Sequence, residues 1–133
     1  MRKFLVLTVA VFASLILATP AYAGSPHFVG AVTATVSGDS LTVSGKEAGL
    51  GNEAQVHIVV TATAACLNPG NNKPQAGNKQ SVSAEGDFPV QNGRAEFSLT
   101  LTAIFQPSCT PPMTVVWSDI TVIDETSGIM ATP

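Results

Sequence analysis

The chain has 133 residues, 45% of them hydrophobic and 11% charged, with 11 glycines, 9 prolines and two cysteines. That is one small domain's worth of material and it excludes a multidomain enzyme. Charge runs far below the level usual for a globular chain, so solubility must rest on Ser, Thr, Asn and Gln, and the net charge of -3 disfavours nucleic acid as a partner.

At the N-terminus Arg2 and Lys3 precede an apolar run from Phe4 to Ala18, which closes on Thr19, Pro20 and the small-x-small triplet Ala21-Tyr22-Ala23. The pattern predicts a secretory signal peptide over residues 1–23, cleaved before Gly24. The apolar run is short of the ~20 residues that span a bilayer, and position 24 offers no cysteine for a lipid anchor. The expectation is a secreted, extracellular protein with no stable membrane insertion after cleavage. Removing the leader leaves 110 residues, residues 24–133, as one domain, with Lys46, Lys73, Lys79 and Arg94 set against nine acids. Four scattered cations are too few to grip a polyanion, so no nucleic-acid partner is expected.

Cys66 and Cys109 both fall in the exported part, where an even count favours pairing. A bridge between them would contribute about 4 kcal/mol through chain entropy. A redox or metal role needs close spacing such as C-x-x-C, which these two lack.

Beyond residue 24 no window keeps a helical period for three turns, whereas two-residue alternation recurs. Phe28 to Val36 is the first candidate strand. Ser37-Gly38-Asp39 then turns the chain into Leu41-Thr42-Val43-Ser44, a predicted hairpin. Glu53 to Cys66 reads as the central strand, with Val56, Ile58, Val60, Ala62 and Ala64 on one face and His57, Val59, Thr61 and Thr63 on the other. The Gly-, Pro- and Asn-rich stretch 67–78 predicts the longest loop. A strand near Gln80 to Ala84, a turn at Glu85-Gly86-Asp87 and an edge segment at Phe88-Pro89-Val90 follow. Asn92-Gly93 signals a type I′ turn that pairs this segment with Arg94 to Ala103. Met113 to Ile123 completes the set, provided a bulge falls near Ser118-Asp119.

About seven short strands with frequent turns predict an all-β, two-sheet antiparallel sandwich of immunoglobulin-like or fibronectin-like architecture, with a small barrel as the alternative. The Cys, Trp, Cys order of true immunoglobulin domains is not met, because Trp117 follows both cysteines.

Chemistry-bearing groups are sparse. His27 lies close to the cleavage point, and His57 is either a solvent-face residue or a hydrogen-bonded, partly buried one. No G-x-S-x-G elbow occurs, and two histidines with a paired cysteine couple do not supply a zinc site. Gly49-Leu50-Gly51-Asn52-Glu53-Ala54 fits a loose G-x-G-x-x-A but opens a strand, so it reads as a tight inter-strand loop. Glu85-Asp87 and Asp119 to Glu125 lack calcium-loop spacing and read as solvated turns. The expectation is therefore no catalytic residue, no metal and no cofactor. What remains is a loop stapled at its base, offering Asn68, Asn71, Asn72, Lys73, Gln75, Asn78 and Lys79, with Phe105 as an exposed ring on the facing loop. Its partner would be an extracellular protein or a glycan. The functional expectation is a noncatalytic binding module, with two alternatives: an inhibitor of an extracellular hydrolase presenting loop 67–79, or a carbohydrate or cell-wall binder.

The phrases Lys46-Glu47-Ala48-Gly49-Leu50-Gly51-Asn52, Cys66-Leu67-Asn68-Pro69-Gly70-Asn71-Asn72-Lys73-Pro74, Gly77-Asn78-Lys79 and Pro89-Val90-Gln91-Asn92-Gly93 resemble those of small exported proteins of unknown function such as occur in actinobacteria. The resemblance spans most of the chain after the leader and implies export. It brings no catalytic motif with it.

Overall fold

A computed structural model describes residues 25–70 and 78–133. The predicted leader therefore lies outside the described residues. Among the described residues eight strands follow one another: β1 His27–Phe28, β2 Thr33–Ser37, β3 Ser40–Ala48, β4 Gln55–Leu67, β5 Lys79–Pro89, β6 Ala95–Thr102, β7 Thr114–Asp124 and β8 Ile129–Ala131. They form two antiparallel sheets. In the first, β3 pairs with β6 on one side and with β1 and β2 on the other; in the second the order is β5-β4-β7-β8. The predicted two-sheet all-β sandwich is the observed architecture.

Alternation explains the core. In β4 the side chains Val56, Ile58, Val60, Ala62 and Ala64 are buried, as the sequence pattern requires. Val56, Ile58, Val60 and Ala62 share one core cluster with Leu41 and Val43 of β3, Ala95, Phe97 and Leu101 of β6, and Val122 of β7. Phe97 packs edge-on against Phe28 and Phe88, with ring centroids 6.2 Å apart in both pairs. Gly45 makes room for that ring, since a Cβ there would lie 2.7 Å from Phe97 Cζ. Phe97 is thus a core residue, with Phe88 half-buried against it.

Local turn chemistry is visible in the backbone. Asn92 and Gly93 both have positive φ, 53° and 72°, and Gln91 and Arg94 exchange backbone hydrogen bonds of 2.8 and 3.0 Å across them. This is the type I′ signature. The β2–β3 hairpin closes through Ser37 and Ser40 around Gly38. The β7 bulge also falls where predicted: Thr61 pairs with Thr121 but Thr63 with Ser118, and Asp119 has φ 52°.

Several expectations are corrected. The first predicted strand is broken in two because Gly30, at φ 69°, turns the chain between β1 and β2. Glu85-Gly86-Asp87 makes no turn: alternation runs unbroken through it, so Val82, Ala84, Gly86 and Phe88 share one face of a continuous edge strand. The segments flanking Asn92-Gly93 do not form a ladder, because β5 pairs with β4 and β6 with β3; past the single Gln91–Arg94 bridge the chain crosses between sheets. β8 was not among the predicted strands; with it the described residues hold eight, against the about seven expected.

Cys66 and Cys109 form a disulfide with Cα atoms 5.8 Å apart and a sequence separation of 43. It ties the end of β4 to the β6–β7 loop. Replacing both cysteines by alanine is predicted to lower the unfolding free energy by about 4 kcal/mol, as read from urea denaturation, with a larger m-value because the unfolded chain loses its cross-link.

Candidate functional site

The sandwich presents two chemically different ends. The disulfide end gathers the β2–β3 turn, the start of the β4–β5 loop and the β6–β7 loop. Ala103 N donates to Asp39 O at 2.9 Å, Gln80 Nε2 donates to Ile104 O at 2.8 Å, and the Met113 thioether lies 3.8 Å from Cys66 Sγ. Beside this tied backbone Ile104 is 73% exposed and Val36 53% exposed. A shallow hollow of about 350 Å³ lies at this end, lined in part by Val36, Cys109, Pro111 and Met113.

The residues expected to form the binding loop are placed as follows. Asn68 and Lys79 are exposed, while Asn78 and Phe105 are half-buried. Lys79 belongs to β5, opposite Ala65. Asn71, Asn72, Lys73 and Gln75 lie outside the described residues. Phe105 is less available than expected, and its neighbour Ile104 is more exposed than it.

The opposite end carries a hollow of about 780 Å³ lined by His27, Asn52, Glu53, Asn92 and Arg94 together with loop glycines. Leu50 N donates to Gly93 O at 3.0 Å, joining the β3–β4 loop to the β5–β6 turn. Gly49 is held at φ 73° with its α-carbon face against Ser25 O, where a Cβ would clash. The segment read as a tight inter-strand loop is one. His27 is exposed, with Nδ1 2.7 Å from Ser25 O.

Beneath this end lies a feature that sequence reasoning missed. Glu47 is 1% exposed and Asp124 is fully buried, one from each sheet. Asp124 was expected in a solvated turn; it is instead the last inward residue of β7, two positions after the buried Val122. Asp124 Oδ1 accepts from the Thr126 and Ser127 amides at 2.8 and 3.0 Å. Glu47 Oε1 and Oε2 and Asp124 Oδ2 are buried and have no hydrogen-bond partner among the described residues. Two ionised carboxylates cannot share such a space, so one proton stays between them. Burial, then the hydrogen bond to Asp124 and its negative charge, push the Glu47 carboxyl up from 4.5 to about 8. The signal was present in β3: Leu41, Val43, Gly45 and Glu47 follow one another at two-residue spacing.

Above the same turn, on the outer face, His57 is one-third exposed and sits among three carboxylates. Its Nδ1 lies 2.8 Å from Asp87 Oδ1, and its Nε2 lies 3.6 Å from Glu85 and 4.0 Å from Glu125. The hydrogen bond to Asp87 raises its pKa above 6.5, with smaller contributions from the Asp87 and Glu85 charges partly offset by desolvation. The main hollows do not include His57. Among the described residues no group of three or more His, Cys, Asp or Glu side chains is arranged to hold a metal ion.

Glu47 has a pH signature with a definite sign. Its folded pKa lies above its unfolded one, so the folded state binds more protons between the two values and stability falls as pH rises across that interval. The Glu47→Gln variant keeps a donor for Asp124 but does not titrate. It is predicted to unfold at a higher temperature than wild type at pH 8 and to remove up to about 1.4 kcal/mol per pH unit of slope between pH 4.5 and 8. Thermal unfolding across that range measures it.

No protein-family model, curated protein or solved structure matches the chain.

Proposed function

We propose that the chain is an exported, noncatalytic binding module of immunoglobulin-like layering, and that the disulfide end is its recognition surface for an extracellular protein. The observation that carries this reading is the exposure of Ile104 and Val36 on backbone fixed by Cys66–Cys109. Apolar side chains on a pre-ordered scaffold lose little entropy on binding. The leader pattern and the resemblance to small exported proteins support the location. The solvent-facing place of His57, away from the main hollows, supports a noncatalytic role. A glycan platform is less favoured, because Phe97 is buried in the core and Phe88 is half-buried against it.

The hydrolase-inhibitor reading is favoured by one observation: Asn68, Pro69 and Gly70 are exposed immediately after the anchored Cys66. It requires a 1:1 complex with a protease or glycosidase that is lost on replacing residues 70–78.

Affinity capture from the native extracellular milieu tests the main reading. Wild type is predicted to enrich a protein partner at least tenfold over Ile104→Asp, with Glu96→Gln at the opposite end of β6 behaving as wild type. Equal capture by Ile104→Asp contradicts the assigned surface, and a turnover reaction abolished by His57→Ala contradicts the noncatalytic role.

A further inference from the structure

We propose that the β7–β8 turn, residues 125–128, is a latch held shut by two protons, one between Glu47 and Asp124 inside the sandwich and one on His57 outside it, and that alkalinisation releases it. Four residues span Asp124 to Ile129, which pair as the first rung of a three-rung ladder. This is the most lightly held strand pair of the second sheet, and such elements open locally before the whole domain does.

From inside, the turn hangs on Asp124. Its Oδ1 holds the Thr126 and Ser127 amides, its carbonyl accepts from Gly128 N at 2.8 Å, and its other carboxylate oxygen is left for Glu47. The elements packed around Glu47 bring no cation to it. β1 places Phe28 opposite Glu47 and β6 places Ala95. Lys46 faces outward and pairs with Glu96 at 3.5 Å, and the charged groups His27, Glu53 and Arg94 line the hollow at the rim. Asp124 is thus the charged group that acts on Glu47.

From outside, the same turn hangs on His57. Its amide donates to Thr126 Oγ1 at 2.9 Å, its carbonyl accepts from Glu125 N at 3.0 Å, and its ring faces Glu125. The other charged groups facing that ring are Glu85 and Asp87 of β5. Among the described residues neither a lysine nor an arginine pairs with any of these three carboxylates.

Both protons act in the same direction. Below neutrality His57 is a cation among three anions and Glu47 is a neutral donor to Asp124. As pH rises through the raised value of His57, three carboxylates lose their counter-charge; as it rises through about 8, Glu47 becomes an anion facing Asp124. The repulsion is relieved most easily at Asp124. Both residues pair on two sides, Glu47 with β1 and β6 and Asp124 with β4 and β8, but Asp124 is the last paired residue of its strand and holds the turn amides on its own carboxylate, so repulsion at Asp124 acts directly on the turn. Release of β8 uncovers the edge of β7 at Val122–Asp124.

Amide exchange by NMR, expressed as protection relative to intrinsic rates, tests the latch. Between pH 6 and pH 9 protection at Thr126, Ser127 and Gly128 is predicted to fall at least tenfold in wild type, while Val60 and Leu101 in the core fall by less than threefold. Glu47→Gln is predicted to remove most of the fall, and His57→Gln to lower protection already at pH 6. Protection at the turn that does not change with pH overturns the proposal. So does a fall of equal size at Val60 and Leu101, which means global loosening, or a full pH dependence retained in Glu47→Gln.

Discussion

Side chains of an extended strand must alternate between its two faces, and in β3 and β7 that constraint carries two carboxyl groups into the interior. Leu41 and Val43 fix the inward register of β3, and Val122 fixes that of β7. Once those residues are buried, Glu47 and Asp124 are committed to the same side. Water is excluded there, so charge on both is prohibitive and a retained proton becomes part of the fold. The arrangement is less stable than an apolar pair of the same shape would be, and it makes the end of the sandwich responsive to pH.

β4 connects the two ends. Its inner face supplies the middle of the core, its C-terminal end carries Cys66, and near its N-terminal end Ile58 lies opposite Asp124 while His57 points the other way. One strand therefore anchors a covalently tied end and an end held by protons. The covalent end does not titrate, which suits a surface that must keep its shape while the other end responds. The two ends also differ in chemistry: exposed Ile104 and Val36 at one, polar His27, Asn52, Glu53 and Arg94 around the hollow at the other.

Much of the fold was legible in the sequence because it is local. Asn92-Gly93 must accept positive φ, β4 repeats β-branched residues at period two, and the misfit of Val115, Trp117, Ile120 and Val122 to one face located the bulge. Pairing was less legible. The Asn92-Gly93 turn was identified, but no local signal says that its two arms join different sheets. Glu85-Gly86-Asp87 has turn composition, yet burial of Val82, Ala84 and Phe88 against β4 and β6 overrides it. The carboxyl pair was least legible. Each partner is an ordinary acid in its own segment, and only the facing of two sheets brings them together. Read at period two, Glu47 after Leu41 and Val43 was the available clue.

The pH response of this end depends on one proton kept on the Glu47–Asp124 pair at neutral pH. Carbon-detected NMR titration of the side-chain carboxyls reads it directly. The account predicts that the Glu47 carboxyl resonance shifts with a midpoint near 8. A midpoint at 4.5, the ordinary value for glutamate, would contradict it.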